Sequence, residues 1–458
     1  MSKNISKNNG KNGKSVKPVK TPQSLPAPTE FKEHVFAERF ISKIGKIRTC
    51  GKSWYRYRDG IWECVDMQIF SPVVLDDLPP QIKTAGNVTK VLRHVQLKCQ
   101  VDKSYFRGFY GFDANGDILV NSANGVVKIS KQGVELLDQS SDFNFTQKTK
   151  AKYDTKAKCS LFDYQLQWIL SDRKDCELFE LCGGNILIPD ARFETACVLY
   201  GLTGTGKSTL MNAISYALGT DIVREVSMTQ LNTKNTYFLT ELQDMALNVC
   251  TELETHEIKD TSIFKKIISG ERSSCRKIHK TPMVLTPTVK LFYLTNHIPA
   301  FVKGNGAEAR RLRILHFDRK PKTLDNTLRK RLEAEADGIF LRMVQWAQKL
   351  LSLPAIPEGG VKSQSVKRVF AISNDPIGTF VNECCETGPK NKVTKDELVD
   401  AYTAYCDSNS LVPVDRNIFL KDLYKRFPTI DPKRVAQEGN RVQMVSGLRL
   451  IEAPGKNN

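Results

Sequence analysis

Apolar positions along the chain follow two periods, and together they predict a mixed α/β protein. Between residues 160 and 190, Phe162, Leu166 and Ile169 recur at the spacing of one helix face. Elsewhere, short apolar runs bounded by polar residues have the length and composition of buried strands. These runs lie at residues 195–200, 246–250, 290–295 and 314–317. Nearer the start of the chain, Asp59-Gly60 separates two aromatic segments and predicts a β-hairpin.

The pattern after residue 390 predicts a small module of helices and strands. Thr394 and Glu397 form a capping box at the start of one helix. A second helix, at 416–427, has an apolar face and a basic face. Its predicted buried residues are Ile418, Phe419, Leu423 and Phe427, and its predicted exposed residues are Arg416, Lys421, Lys425 and Arg426. A turn at 438–440 then predicts a wing, so we expect a winged helix that docks on duplex phosphates or on a protein.

One loop combines a strand, glycines and a helix in the order that phosphate binding requires. Its sequence fits the pattern G-x-x-x-x-G-K-[ST] and consists of Gly201, Leu202, Thr203, Gly204, Thr205, Gly206, Lys207 and Ser208, followed by Thr209. Glycines let successive backbone N–H groups surround a polyphosphate, and the helix N-terminus adds partial positive charge. Lys207 is expected to reach the β- and γ-phosphates of ATP, and Ser208 to ligate Mg²⁺. A chance glycine-rich turn is the alternative.

Polar residues that follow two of the predicted strands are candidates for chemistry beside this loop. Glu252, or Glu254 as the second choice, follows the strand at 246–250, where a carboxylate can hold Mg²⁺ through water and polarise an attacking water. Asn296 follows the strand at 290–295 and can sense the γ-phosphate. Acidic residues end many strands and Asn also starts turns, so purely structural roles remain open.

Two basic segments flank the strand at 290–295. The first predicts a projecting hairpin and contains Lys265, Lys266, Arg276, Lys277, His279 and Lys280. In a ring, such a hairpin points into the central channel and contacts DNA phosphates, whereas on an isolated protein it is a solvated loop. The second contains Arg310, Arg311 and Arg313. An arginine here can act as a finger on the transferred phosphoryl group or can simply end a helix in a salt bridge.

Composition narrows the partners and the compartment. The 458 residues are 40% hydrophobic and 26% charged, which is ordinary for a globular protein. A net charge of +18 favours a polyanionic partner, nucleic acid before membrane. No apolar run approaches the ~18 residues of a membrane span. Twelve scattered cysteines form no C-x-x-C pair, so we expect free thiols in a soluble, intracellular protein of the host cytoplasm.

These segments together resemble superfamily III helicases, which are AAA+ ATPases, and specifically the helicase part of phage and plasmid primase-helicase proteins. The segments that carry the resemblance are 201–209, 247–254, 264–277, 290–299 and 309–317. It extends upstream through 121–129 and downstream over 375–453, which is similar to that family's winged helix. The first 150 residues contain no convincing paired-aspartate polymerase site, so primer synthesis is not expected in this chain.

The resemblance implies an α/β protein with an AAA+ phosphate-loop core around a central parallel sheet. A mixed α/β and helical domain precedes this core, and a winged helix follows it. We therefore divide the chain into a disordered basic tail at 1–30, a mixed α/β domain at 31–156, a helicase domain at 157–355, and a linker with the winged helix at 356–458.

The resemblance also implies an ATP-dependent replicative DNA helicase of a virus, phage or plasmid that works as a homohexameric ring with ATP bound between subunits. The loop at 201–209 would bind ATP, with Lys207, Glu252 and Asn296 as catalytic residues and Ser208 and Glu252 at Mg²⁺. Arg310 would be the finger offered to the neighbouring subunit, supported by Arg311 or Arg313. The channel residues would be Arg276, Lys277, His279 and Lys280. Thr251 stands where an acid often precedes the catalytic one, so metal handling is expected to depend on Ser208, Glu252 and water.

The implied partners are single-stranded DNA in the channel, duplex DNA at the winged helix, and a separate primase and polymerase. The first alternative is an ATP-switched protein that loads onto a replication origin without processive unwinding. A phosphate-loop kinase of a small molecule is the second, although it leaves the basic hairpin and Arg310 without a purpose.

Overall fold

The structure is a computed structural model that describes residues 31–231, 236–251, 261–277, 282–297, 307–323, 325–437 and 440–451. The described chain divides into two compact units. The first contains residues up to 56 together with 64–102, and the second contains 57–63 together with the chain from 103 onwards. The predicted basic tail lies outside the described residues, as do Glu252, Glu254, His279 and Lys280.

Helices dominate the first unit. They are α1 (Glu33–Ile44), α2 (Ser71–Asp77) and α3 (Ala85–Lys98), and the strands nearby are β1 (Ile47–Cys50), β2 (Ser53–Arg58) and β3 (Ile61–Val65). Phe40, Val91 and Trp54 are buried in one apolar cluster of this unit. Strands β2 and β3 flank a turn at Asp59-Gly60, where Gly60 has a φ of 81°, so the predicted hairpin is confirmed.

The second unit begins with an antiparallel sheet. Its strands are β4 (Tyr110–Phe112), β5 (Ile118–Ser122), β6 (Gly125–Ile129) and β7 (Val134–Leu137), in that spatial order. Lys128 Nζ lies 2.7 Å from Asp113 and 3.1 Å from Asp117, which closes the turn between the first two strands. Two helices follow, α4 (Ser160–Ile169) and α5 (Arg173–Asn185), as their spacing predicted.

A five-stranded parallel sheet forms the core of the second unit. Its strands are β8 (Ala196–Gly201), β9 (Val223–Arg224), β10 (Leu247–Cys250), β13 (Lys290–Thr295) and β14 (Leu312–Phe317). Among them lie α6 (Lys207–Leu218), α7 (Tyr237–Glu241), α8 (Ser262–Ile268), β11 (Ser273–Cys275), β12 (Met283–Leu285) and α9 (Ala307–Arg311), and after them α10 (Leu328–Glu333) and α11 (Ala336–Leu350). The spatial order is β14-β8-β13-β10-β9, and each neighbouring pair is parallel. The prediction of an α/β fold with a parallel sheet is confirmed.

Helices cover both faces of this sheet, which explains why its strands are continuous apolar runs. Along β8, Cys197 and Leu199 belong to one buried cluster, which also contains Ile214 of α6. Ala196 and Val198 belong to a second cluster, which also contains residues of α8. Because side chains alternate between faces, the two clusters lie on opposite sides of the strand.

The register of the sheet decides which loops meet. Tyr200 of β8 lies opposite Thr295 of β13 and His316 of β14, and Gly201 lies opposite Phe317. The segments that leave these three strands therefore emerge at the same edge of the sheet, namely the edge formed by the carboxyl ends of its strands. The segment that enters β14 lies at the opposite edge, because parallel strands all run in one direction.

The chain ends in a helical and antiparallel module. Its elements are α12 (Val361–Asn374), α13 (Pro376–Cys384), β15 (Cys385–Thr394), α14 (Lys395–Ser408), α15 (Arg416–Arg426), β16 (Asp431–Gln437) and β17 (Asn440–Leu450). The sheet has the order β15-β17-β16, and the predicted capping box of Thr394 and Glu397 is confirmed. In the core of the module, Tyr402 stacks on Phe419, and Phe380 meets both rings edge to face.

Helix α15 corrects one part of the sequence prediction. Ile418 is 58% exposed, so the prediction that it is buried is wrong. Leu420 is buried in its place beside Phe419 and Leu423, since residues at i, i+1 and i+4 share one helix face and residue i−1 lies outside it. Arg426, predicted to be exposed, forms ion pairs with carboxylates of Asp375 and Asp422.

Two general expectations can be compared with the structure. All twelve cysteines are free thiols, as their scattered spacing predicted. Within the described ranges, no helix is both long enough and apolar enough to cross a membrane.

Candidate active site

The loop between β8 and α6 is packed closely against two other elements. Gly206 has a φ of 90°, and a Cβ there would lie 2.5 Å from Cδ1 of Ile169 in α4. A Cβ on Gly201 would lie 2.1 Å from the carbonyl oxygen of Phe317 at the end of β14. Side chains are therefore excluded at both positions, and the backbone of the loop remains available to a ligand. The predicted order of strand, loop and helix is present.

Lys207 is the buried cation of this loop. Its residue surface is 8% exposed, and Nζ donates hydrogen bonds to the carbonyl oxygens of Gly201 at 2.6 Å and Leu202 at 2.9 Å. Nζ also lies 3.0 Å from Oδ1 of Asn296. Burial lowers the pKa of Lys207, and the nearby charge of Lys320 lowers it further. An anion at this position would relieve both effects, because it would compensate the buried positive charge.

Asn296 meets the loop because β13 and β8 are neighbours in the sheet. Its Nδ2 donates a hydrogen bond to Oγ1 of Thr203 at 3.2 Å, while its Oδ1 accepts the bond from Lys207. The amide therefore bridges the two ends of the phosphate-loop sequence. From this position an amide can contact a terminal phosphate and orient a water molecule, which are the tasks that the sequence predicted for it.

The structure describes the neighbour of the acidic residue predicted beside the loop, but not that residue itself. Glu252 lies outside the described residues, but Thr251, directly before it, lines the cavity at the loop. Thr251 Oγ1 donates a 2.6 Å hydrogen bond to Oε1 of Glu225, which follows β9. A carboxylate is therefore linked to the cavity from a second strand. Sequence reasoning missed Glu225, although its position directly after a β-prone Val-Arg pair was a usable signal.

Two cavities share the loop. One, of about 350 Å³, is lined by loop residues from Thr203 to Thr209 together with Thr251, Leu294 and Asn296. The other, of about 290 Å³, shares Gly204, Thr205, Gly206 and Thr209 and is otherwise lined by Gln165, Trp168, Ile169, Pro321, Thr323, Asp325, Asn326 and Leu328. The first cavity is polar and contains the buried lysine. The second has a partly apolar wall, so the two together suit a ligand with a polyphosphate end and an aromatic end.

The segment that follows β14 adds residues that the sequence analysis did not single out. Lys320 lies near the loop, and a Cβ on Gly204 would be 3.8 Å from its Cε. Arg319 donates a hydrogen bond to the carbonyl oxygen of Trp168 at 3.0 Å. The Arg319 bond holds the segment against α4. The signal in the sequence was the group of basic residues Arg319, Lys320 and Lys322 shortly after an apolar strand.

The three candidate arginines have different surroundings. Arg311 lies 3.2 Å from Oγ of Ser269 and 3.5 Å from a carboxylate oxygen of Glu194. Arg313 donates to the carbonyl oxygen of Ile356 at 2.9 Å and pairs with Glu358. Arg310 is exposed. Among the three, Arg310 is therefore the one whose guanidinium is presented to the surroundings.

Arg310 is also far from the phosphate loop of its own chain. It precedes β14, whose first residue lies opposite Ala196 and whose last lies opposite Gly201. From Ala196 to Gly201 the strand advances by five residues of about 3.3 Å each, so the two ends of the strand are about 17 Å apart. The loop and Arg310 therefore lie at opposite edges of one sheet, and Arg310 cannot contact a nucleotide bound to its own loop.

The basic hairpin is present as far as it is described. Strands β11 and β12 are antiparallel, with Ser273 opposite Leu285. Arg276 and Lys277 are exposed directly after β11, whereas His279 and Lys280 lie outside the described residues. Burial raises the pKa of Asp244, and Lys277 is among the charges that oppose this rise.

Comparisons with known proteins match separate parts of the chain. Residues 199–311 match a family of unknown function, DUF5906, and residues 372–442 match the family described as Poxvirus D5 protein-like. The DNA-binding protein RFX7 of Xenopus laevis is 26% identical over 159 residues, which are 33% of this chain. That match spans 10% of the length of the Xenopus protein.

Two solved structures are similar to nearly the whole chain. The apo structure of the NrS-1 C terminal region (305-718) has a TM-score of 0.53 and 10% identity and covers 91% of this chain and 100% of its own. The A form apo structure of the same region has a TM-score of 0.52 and 9% identity and covers 90% of this chain and 98% of its own. The likeness at this level of identity is one of fold.

Proposed function

We propose that the chain is an ATP-dependent DNA helicase of a viral, phage or plasmid replication system, active as a homohexameric ring. The observation that carries the proposal is the placement of Lys207 and Asn296 at one edge of the parallel sheet and of the exposed Arg310 at the other. A site divided in this way is completed only when a second copy supplies its arginine. The match of residues 372–442 to the Poxvirus D5 protein-like family supports a role in replication.

The paired cavities support ATP as the ligand. Its phosphates would lie in the cavity with Lys207 and Ser208, and its base would lie against Trp168 in the neighbouring cavity. The excluded side chains at Gly201 and Gly206 leave backbone N–H groups for the phosphates. Mg²⁺ would be held by Ser208, with Glu252 or Glu225 through water, and would neutralise charge on the phosphates. Asn296 would orient the attacking water.

Arg310 would act on the nucleotide of the neighbouring protomer. A guanidinium offered in trans stabilises the charge that spreads over the transferred phosphoryl group, and loss of such a finger costs about 10³-fold or more in rate. Arg311 and Arg313 would hold the backbone on either side through their contacts with Glu194 and Glu358. The exposure of Arg310 suits this role, because its guanidinium must reach a neighbouring copy.

DNA would be contacted by two basic surfaces. Arg276 and Lys277, with His279 and Lys280 beyond the described residues, would line the channel of the ring. The terminal module would be the winged helix, and Lys421 and Lys425 are exposed on α15. A basic helix in that position suits duplex phosphates.

The experiment that tests the function is strand displacement with mixed variants. Lys207→Ala should abolish ATP hydrolysis and displacement of a forked duplex, and Arg310→Ala should abolish hydrolysis while ATP still binds. A mixture of the two proteins should recover part of the activity, because an interface between an intact loop and an intact arginine can form. No recovery at any ratio would contradict a shared site.

The terminal module also supports the second candidate, an ATP-switched protein that loads onto an origin without processive unwinding. Its exposed Lys421 and Lys425 would suffice for duplex binding without translocation. DNA-stimulated hydrolysis without strand displacement would favour this loader. Displacement of strands longer than one turn of duplex would exclude it.

A further inference from the structure

Glu308 is a buried carboxylate that belongs to the same short helix as Arg310. The residue is 3% exposed, although it lies only two positions before the exposed arginine. Buried carboxylates are costly unless they are paired and hydrogen-bonded. The contacts of Glu308 therefore determine how α9 is held.

Helix α8 supplies the partners of Glu308. Its Oε1 accepts hydrogen bonds from Oγ1 of Thr261 at 2.9 Å and from Nζ of Lys265 at 3.0 Å. Burial alone would raise the pKa of Glu308, but these two bonds lower it below its ordinary value, so the carboxylate remains ionised. Lys265, which the sequence analysis assigned to the basic run, has its charge directed at Glu308 and not at a nucleic acid.

The Lys265 end of the Glu308–Lys265 pair is anchored. Ile263, Phe264 and Ile267 of α8 are buried on the sheet, so Lys265 projects from a fixed helix. Helix α8 leads within a few residues into β11, after which Arg276 and Lys277 are exposed. The Glu308–Lys265 pair thus joins the element that carries Arg310 to the element that carries the basic hairpin.

We infer that Glu308, held by Lys265 and Thr261, is a positioning residue that sets where Arg310 is presented to the neighbouring protomer. This inference depends on the proposed function, in which Arg310 acts in trans. The side chain of Arg310 is long and exposed, so its location depends on the backbone of α9. A displacement of about 1 Å at a catalytic group can cost about 100-fold in rate.

The test uses Glu308→Gln, which keeps the shape but removes the charge. We expect kcat to fall about 10- to 100-fold, with the Kd for ATP unchanged within about twofold. Mixing this variant with Lys207→Ala protein should restore part of the activity, as it does for Arg310→Ala. A variant that is merely misfolded cannot be rescued in this way, because its own loop must then bind and hydrolyse ATP.

Lys265 provides a second route to the same conclusion. Lys265→Met should reproduce the loss, Lys265→Arg should retain most activity because it keeps the charged bond, and the double variant with Glu308→Gln should be no worse than either single change. Glu177→Gln is the matched control, since it removes only the ion pair with Lys349 between α5 and α11 and should leave kcat within about twofold of the unmodified protein.

The outcomes distinguish a failure of the positioning role of Glu308 from a failure of the proposed function. If Arg310→Ala is rescued but Glu308→Gln keeps full activity, or is not rescued, the positioning role is wrong and the shared site stands. If Arg310→Ala itself keeps full activity or resists rescue, the proposed function fails.

Discussion

The ammonium group of Lys207 lies 3.0 Å from the side-chain oxygen of Asn296, across 89 positions of sequence. The same amide donates to Thr203, so Asn296 connects the lysine to the glycine loop. All the hydrogen bonds described for the Lys207 ammonium are made to protein oxygens, two of them backbone carbonyls. A bound polyphosphate must therefore compete with Asn296 for the lysine.

We predict that Asn296→Ala separates ATP binding from hydrolysis. The loop and Lys207 remain, so the Kd for ATP should change by less than about threefold. Loss of one oriented hydrogen-bonding group at a reacting centre costs about 100-fold or more, so kcat should fall by that amount. Equilibrium binding of a fluorescent ATP analogue and steady-state hydrolysis measure the two quantities. Asn391→Ala is the control, because it makes the same change in β15 of the terminal module, where the amide of Asn391 donates to the backbone of Glu386. An unchanged kcat in Asn296→Ala would leave Asn296 with a turn-forming role alone.

The second cavity predicts where the base binds. Trp168→Ala should weaken ATP binding about tenfold, because stacking of a base on an aromatic ring contributes about 1–3 kcal/mol. Inorganic tripolyphosphate has no base, so its affinity should not change. Tyr164→Ala is the control, since Tyr164 is 61% exposed on the same helix and does not line the cavity. Equal weakening of both ligands by Trp168→Ala would mean that the variant damages the loop and that the base lies elsewhere.

The carboxylate of Glu225, which is linked to the cavity through Thr251, predicts that a variant of this residue changes the Mg²⁺ dependence of hydrolysis. Glu225→Gln should raise the Mg²⁺ concentration needed for half-maximal hydrolysis several-fold, because a neutral amide attracts a hydrated cation less strongly. Removal of Mg²⁺ with EDTA should abolish hydrolysis in both proteins. Asp221→Asn removes one charge from the same segment and should leave the Mg²⁺ titration unchanged. If the two variants titrate alike, Glu225 only holds the Thr251 hydroxyl in place.

The local parts of the site could be predicted from the sequence, whereas contacts between distant segments could not. The loop at 201–208 and Asn296 have local signals, and parallel strands bring such strand ends to one edge. Glu308 gave no signal, because its burial depends on how α8 and α9 pack. Trp168 was missed for the same reason, since it lines the cavity beside the loop only because α4 packs against that loop. Ile418 was wrongly predicted to be buried, because the face of its helix that contains Ile418 and the face that contains Leu420 have similar numbers of apolar residues.

The exposed lysines of α15 predict a measurable part of the salt dependence of duplex binding. Lys421→Gln with Lys425→Gln should weaken binding and reduce the slope of log K against log salt by about 2, since each phosphate contact contributes about 0.9. Lys83→Gln with Lys98→Gln is the control of equal charge change, because these lysines pair with Asp76 and Glu38 in the first unit. Fluorescence anisotropy with a duplex at several salt concentrations gives both slopes. Equal slopes in the two double variants would mean that α15 does not contact the phosphates, and would favour docking of this helix on a protein.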